Sequence, residues 1–310
     1  MQTTPPMTDS PEDDSLTPGR RESAPLAPGL YLVATPIGNL EDITLRALRI
    51  LRQADRIACE DTRQSAKLLH HFGIETPTTS LHQHNEQARS TDDLLPLLRE
   101  GGRVAVISDA GMPGISDPGS LLVRLAIDAG VPVFPVPGAN AALSALIASG
   151  LSTESFTFHG FLPEKSGARR TALEALARLN SLGTQVFYEA PHRILDTLGD
   201  ISSVFGDRAR VVLARELTKL HEEFLRGAAD EIRATLSTRE RVRGEMVLLL
   251  ELSGEAAQGA PQISLSARVA ELCALEGLAE KDALKKAARE RGLGKSEAYR
   301  ELQRERAAAQ

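Results

Sequence analysis

VAVISDAGMPGISDPG, Val104 to Gly119, decides the fold. Its first residues are short, apolar and β-branched, the makings of a buried strand. Three glycines and two prolines then force a turn, and Leu121, Leu122, Leu125 and Ala126 follow at helical spacing. A buried strand running into a glycine-rich turn and a helix is one unit of an open α/β sheet. The carboxyl end of such a strand is where that architecture places ligands.

The same texture extends in both directions. Leu30–Ala34, Arg56–Cys59 and Val131–Val136 are further strand-like runs, and Leu45, Leu48, Ile50, Leu51 and then Leu94, Leu95, Leu97, Leu98 mark helices between them. Apolar strands alternating with amphipathic helices imply a mainly parallel sheet covered on both faces. Ala129 to Thr153 carries no charge over 25 residues, long enough to raise the question of a membrane span. Pro132, Pro135, Pro137 and Gly138 break it into a strand, a turn and a helix, so no membrane partner is expected.

After residue 152 the strands are Phe156–Phe161, Thr184–Tyr188, Arg210–Ala214, Glu223–Arg226 and Glu245–Leu252, with fewer and shorter helices expected between them. That pattern suggests a second, α+β domain with a mixed sheet. The expected organisation is a disordered tail over 1–28, an α/β domain over 29–150 and a second domain over 151–252. A linker over 253–262 and a helical, helix-turn-helix-like module over 263–310 complete it. The tail holds six prolines and almost no bulky apolar residue, too little to offset the entropy of ordering.

Composition narrows the classes. Two cysteines, Cys59 and Cys273, exclude a disulfide framework or a four-cysteine metal site and suggest a reducing, cytoplasmic setting. The formal charge of −6 disfavours a nucleic-acid coat over the whole surface, yet it is unevenly spread. Residues 281–306 carry nine bases and five acids, enough to attract a polyanion locally.

The glycine-rich loop lacks what a phosphate cradle uses. No basic residue lies between Arg103 and Arg124, Asp109 and Asp117 add two carboxylates, and neither dinucleotide nor P-loop spacing is present. A ligand with a positive centre and no phosphate fits better, and S-adenosylmethionine is one. Equally, both aspartates have the chemistry to hold the turn and cap the next helix. Two more loops, ATPIGNLEDIT (Ala34 to Thr44) and VPGAN (Val136 to Asn140), follow other strands and would share the same rim.

Three polar strings also leave strand ends: CEDTR (Cys59 to Arg63), YEAPHR (Tyr188 to Arg193) and ARELTKLHEE (Ala214 to Glu223). Glu189 or His192 has the chemistry to take a proton, and Arg63, Arg193, Arg215 and Lys219 have the chemistry to hold phosphates. The alternative is that several of these groups pair with one another as Arg–Glu bridges between the domains. LHQHNE places His82, His84 and Glu86 on one side if extended, but without complementary ligands no metal site is expected.

ATPIGNLEDIT, EDTR, SDAGMPGISDPG, VPGAN, FHGFLPEK, YEAPHR, ARELTK and GEMVLLLE, in that order, resemble the tetrapyrrole methylase superfamily. Within it they look most like the branch that methylates a cytidine ribose 2′-hydroxyl of small-subunit ribosomal RNA. The likeness spans about residues 29–252. It implies two α/β domains with S-adenosylmethionine folded into the cleft between them, a homodimer, and final helices that bind RNA. By the same likeness Pro36 lies over the donor, and Ser108, Asp109, Ala110 and Gly111 contact its methionine end. Pro137, Gly138, Phe161 and Ala214 help enclose it. Met112 stands where the family's DAGTP has threonine, and Ala139 where proline is common, so any contact from that threonine hydroxyl is missing.

The chemistry implied is in-line transfer of a methyl group to a ribose oxygen, with Glu189 and His192 accepting or orienting the proton. The rivals are C-methylation of a tetrapyrrole, a non-catalytic RNA-binding or ribosome-assembly protein, and a nicotinamide oxidoreductase. The basic strings disfavour the first, and the missing phosphate fingerprint disfavours the last.

Overall fold

The computed structural model describes residues 25–82, 85–178, 183–252, 265–276, 278–290 and 295–308. The expected tail, up to residue 24, and the expected linker over 253–262 lie outside the described residues. The chain divides into two compact units, Met1–Leu252 and Ser253–Gln310.

The first unit holds two five-stranded sheets. Strands β1 (Gly29–Val33), β2 (Arg56–Cys59), β3 (Thr78–Ser80), β4 (Arg103–Ile107) and β5 (Val133–Val136) form an all-parallel sheet in the order β3-β2-β4-β1-β5. Helices α1 (Leu45–Gln53) and α2 (Thr62–His71) follow β1 and β2. A run made of α3 (Glu86–Arg89), a π turn (Ser90–Leu94) and α4 (Leu95–Arg99) precedes β4, and α5 (Ser120–Asp128) follows it. Alternating residues of the strands feed two cores. Tyr31, Val33, Ile57 and Ile107 pack with α1 and α2, while Leu30, Ala58, Val104 and Val106 pack with Leu94, Leu98, Leu122 and Ala126. Leu26 joins the first of these cores, so the fold takes hold three residues before β1.

The second sheet runs β6-β7-β10-β8-β9, from β6 (Phe156–Phe161), β7 (Thr184–Glu189), β8 (Ala209–Arg215), β9 (Glu223–Gly227) and β10 (Met246–Leu252). β6 and β7 are parallel and the other pairs antiparallel, a mixed sheet as expected. One face is covered by α7 (Ser166–Arg178), α8 (Ile194–Phe205) and α9 (Ala229–Ser237). These span 13, 12 and 9 residues, so the expectation of shorter helices here is corrected. Gly199 and the serines of α8 dilute its composition, but Ile194, Leu198, Ile201 and Phe205 keep one apolar stripe and are all buried.

The other face is covered by α6 (Ala141–Ser149) together with Ile37 from the loop after β1. By packing, α6 therefore belongs with the second sheet although it directly follows β5 of the first. Arg226 of β9 secures its far end, donating to the carbonyl oxygens of Ala148 and Ser149 at 2.7 and 3.0 Å. The chain thus reaches the second sheet through α6, which packs with Ile37 in that sheet's core.

The second unit is three helices, α10 (Leu265–Glu276), α11 (Glu280–Glu290) and α12 (Lys295–Ala308), around Leu265, Val269, Leu272, Ala283, Ala287 and Leu302. Glu305 of α12 caps α10 by accepting the amides of Leu265 and Ser266. Lys281, Lys285, Lys286 and Arg304 are exposed, as is Tyr299.

Candidate functional site

In the first sheet the chain leaves β1 toward β2 on one side and leaves β4 toward β5 on the other, while β1 and β4 are neighbours. That is a topological switch point, and the crevice beyond the carboxyl ends of β1 and β4 is where a ligand belongs. The two diverging loops are tied at this point. Thr35 and Gly111 form an isolated antiparallel bridge, their amides and carbonyls exchanging bonds of 2.9 and 3.1 Å. The Thr35 hydroxyl donates to the Ser108 carbonyl at 3.1 Å. Gly111 adopts φ of +80°, which glycine accepts without strain.

The helix opened by this loop, α5, has Gly119 at its N-cap and hence no side chain of its own to cap with. Glu86 supplies one: its carboxylate accepts the amides of Gly119 and Leu121 at 2.9 and 3.1 Å. The position at which a phosphate would sit on the helix dipole is therefore taken by an internal anion. Glu86 is in this way committed as a cap. Of the possible metal comb, His84 lies outside the described residues, and no group of three or more candidate ligands is assembled among the described ones.

Above the switch point a cavity of about 330 Å³ opens between the two sheets. Ala110, Gly111, Met112, Ile115, Ser116 and Asp117 from the glycine-rich loop form one wall, and Ile37, Asn140 and Ala141 form its floor. Phe161, Tyr188 to Pro191, Ala214, Leu217 and Glu245 to Val247 close it from the second sheet. No Lys, Arg or His lines it, but Asp117, Glu189 and Glu245 do. Ser116 at φ 64°, and Glu216 and Thr218 at 53° and 65° on either side of Leu217, hold left-handed backbone that costs L-residues about 1 kcal/mol or more.

Burial pushes the Asp117 carboxyl up to about 6, and the charges of Glu60 and Asp109 add to this against the Ser108 hydroxyl. Glu60 is raised for the same reasons, burial first and then Asp109. Burial also raises the Tyr188 phenol, with the Asp117 charge reinforcing it. The glycine-rich side of the cleft is thus negative and only partly hydrated.

Five of the ten residues expected to hold a donor line the cavity: Ala110, Gly111, Asp117, Phe161 and Ala214. The other five shape its loops. Ser108 is buried, donating to the Ala110 and Gly111 carbonyls at 3.2 Å. Pro36 is buried beside Thr35, and Asp109 is exposed, accepting the Asp61 amide at 3.3 Å. Pro137 and Gly138 are exposed on the loop after β5, where a Cβ on Gly138 would stand 2.8 Å from that of Ala34. Sequence reasoning missed Ile37, Ser116, Asn140, Tyr188, Leu217 and the Glu245–Val247 segment. Asn140 was the legible one, since it caps α6 by accepting the Leu143 amide at 2.9 Å.

The expected proton acceptors and phosphate ligands separate. The Glu189 carboxylate is fully buried and saturated, accepting from the Ala190 amide at 2.7 Å, the Thr197 hydroxyl at 2.8 Å and the Arg193 Nε. His192 is exposed on the turn that this carboxylate holds. Arg193 is buried by its pairing and lies over the Phe161 ring. Arg215 pairs with Glu223, which also takes Arg239, and Lys219 bridges Glu216 and Glu245 at 2.8 and 2.9 Å. Arg63, 88% exposed and paired only with Asp61, alone of the four faces solvent. Three of the four cations are thus spent on carboxylates, as the bridge alternative has it, but every partner lies within residues 151–252, so none of these pairs joins the two expected domains.

Residues 29–233 match the family model for tetrapyrrole (corrin/porphyrin) methylases. Ribosomal RNA small subunit methyltransferase I of Halalkalibacterium halodurans is 50% identical over 87% of this chain and 93% of its own length. The protein of the same name from Bacillus subtilis is 44% identical over 87% and 92%. Among solved structures, the uroporphyrin III C-methyltransferase of Thermus thermophilus superposes with a TM-score of 0.51 over 72% of this chain and 96% of its own, at 19% identity, a likeness of fold. With its two sheets, its switch-point cavity and these matches, the chain belongs to the tetrapyrrole methylase family, and within it to the group of the ribosomal RNA small subunit methyltransferases I.

Proposed function

We propose that this protein is an S-adenosylmethionine-dependent methyltransferase that modifies a cytidine ribose 2′-hydroxyl of small-subunit ribosomal RNA. The observation that carries the donor is the cavity itself: lined by three carboxylates and no cation, beside a helix terminus already filled by Glu86. A phosphate-free ligand with a sulfonium and an ammonium, and a net positive charge, fits that set of residues. Ala110, Gly111, Asp117, Phe161 and Ala214 would hold it, with Pro36, Ser108, Asp109, Pro137 and Gly138 setting the loops. Bound there, it supplies a methyl carbon on a positively charged sulfur.

The remaining work falls to this chain. The apolar wall of Ile37, Phe161 and Leu217 excludes water from the reacting atoms. Glu189, with its acceptor capacity spent on Arg193, Thr197 and Ala190, holds the 190–193 turn and so presents His192. His192 then takes the hydroxyl proton as the oxygen bonds to the methyl carbon and the carbon–sulfur bond breaks, leaving the thioether. Arg63, whose exposed pairing with Asp61 is worth little, is free to turn to a phosphate. Arg193, Arg215 and Lys219 keep the second wall in shape through their carboxylates. The exposed lysines of α11 and Arg304 of α12 add RNA affinity. The same reading has a homodimer acting in the cytoplasm on ribosomal RNA or an assembled small subunit, without a metal.

The test is methyl transfer from labelled S-adenosylmethionine to small subunits taken from cells lacking this enzyme, beside naked ribosomal RNA and a porphyrinogen. Label in RNA that leaves one phosphodiester resistant to alkali is expected, because a 2′-O-methyl group blocks attack by that oxygen. Label in the porphyrinogen, or in an alkali-sensitive RNA position, overturns the reading.

A further inference from the structure

We propose that Asp117 makes the cleft read ligand charge, holding a sulfonium donor in preference to the neutral thioether that remains once the methyl group has left. This rests on the donor reading above. Three carboxylates line the cavity, and two are already neutralised. Glu189 belongs to Arg193, and Glu245 to Lys219, whose Nζ is 2.9 Å from its oxygen. Among the described residues no Lys or Arg pairs with Asp117. Its neighbours are the wrong sign to help: Glu60 at the end of β2 and Asp109 at the end of β4 repel it, and Ser108 and the Tyr188 phenol complete its surroundings.

Asp117 is half-buried, so solvent only partly compensates its charge. A carboxylate in that position lacks a counter-ion, and the ligand is the one component that can bring it. A sulfonium brings a full positive charge, whereas its demethylated thioether brings none at that atom. In a site of reduced dielectric the difference is worth roughly tenfold or more in affinity. The proton affinity of Asp117 gives the preference a pH range. The group ionises around pH 6, so the preference is present above that value and lost below it. Near pH 6 the cation also displaces a proton, which a calorimeter detects as heat that varies with the ionisation enthalpy of the buffer.

The experiment is calorimetric titration of the full chain with S-adenosylmethionine and, separately, with S-adenosylhomocysteine, at pH 8 and pH 5, for the wild type and Asp117→Asn. Expected for the wild type is a donor preference of roughly tenfold or more at pH 8 that shrinks several-fold at pH 5. Asp117→Asn should lose most of it at both, its affinity for S-adenosylmethionine falling far more than that for S-adenosylhomocysteine, and an unchanged circular dichroism spectrum shows that the variant is folded. Equal wild-type affinities at pH 8, or an undiminished preference in Asp117→Asn, overturn this inference and leave the donor reading standing. Failure of the wild type to bind either nucleoside overturns the donor reading, and this inference with it.

Discussion

Replacing Glu189 with glutamine separates a proton acceptor from a positioning group. The carboxylate is wholly buried and accepts three hydrogen bonds, one of them from an Arg193 side chain that is itself only 10% exposed. Glutamine preserves the shape but removes the charge, leaving a guanidinium with no counter-ion in a poorly hydrated place. Breaking a buried ion pair on one side costs about 3–5 kcal/mol. The amide oxygen still accepts one of the bonds, so the lower end, about 3 kcal/mol, applies. For a unit of this size that corresponds to a fall in Tm of roughly 6–12 °C. Arg193→Met in the same chain removes the stranded charge, so the double variant should melt above Glu189→Gln alone, with a coupling of about 2 kcal/mol. Thermal unfolding by circular dichroism reads this, and turnover is measured well below both transitions. If Glu189→Gln melts within about 1 °C of wild type while turnover falls about 100-fold, the carboxylate is the proton acceptor and the positioning role is wrong.

Three further outcomes follow from the same geometry. Asp117→Asn should stabilise the protein by about 1.5 kcal/mol at pH 8, half of the roughly 3 kcal/mol that the raised ionisation implies, because the group is partly solvated. The folded carboxyl is raised above its unfolded value of 3.8, so wild-type stability falls as pH rises from about 4 to 6; the gain should vanish at pH 4 in denaturant titrations. Glu86→Ala should cost about 1 kcal/mol by uncapping α5, and sulfate should then raise the Tm of the variant more than that of wild type. Gly138→Ala should cost about 1–3 kcal/mol by driving a methyl group against Ala34, and Ala34→Gly should restore much of it; unchanged melting in the single variant would refute the close approach.

The strands were legible because burial on both faces writes itself as short β-branched runs. Arg56–Cys59 forms its strand where that composition suggests, and Phe156–Phe161 does so on aromatic content alone, since most of it is exposed. β3 was not legible, since Thr78, Thr79 and Ser80 have no apolar run and owe their strand to parallel pairing with β2. The order β3-β2-β4-β1-β5 was not legible either, because which strands become neighbours depends on long-range packing. Loop chemistry placed Ala110, Gly111 and Asp117 at the cleft. It did not show that Arg193, Arg215 and Lys219 spend their charge on Glu189, Glu223, Glu216 and Glu245, since such pairing needs distances. Glu86 read as part of a metal comb for the same reason: the helix it caps begins more than thirty residues later in the chain.

The strand order also sets a timetable for synthesis. β1 is made first, yet both of its neighbours, β4 and β5, lie far downstream. At about 5–20 residues per second, Leu30 and Val33, wholly buried in the finished protein, wait roughly 4–15 s before β4 has been made. During that interval β1 presents two open edges to whatever is near the ribosome. Because Glu245, Met246 and Val247 line the cavity, it is closed to assembly until the chain has passed residue 247, so a stall within the first hundred codons exposes a strand made for burial with most of the site still unmade.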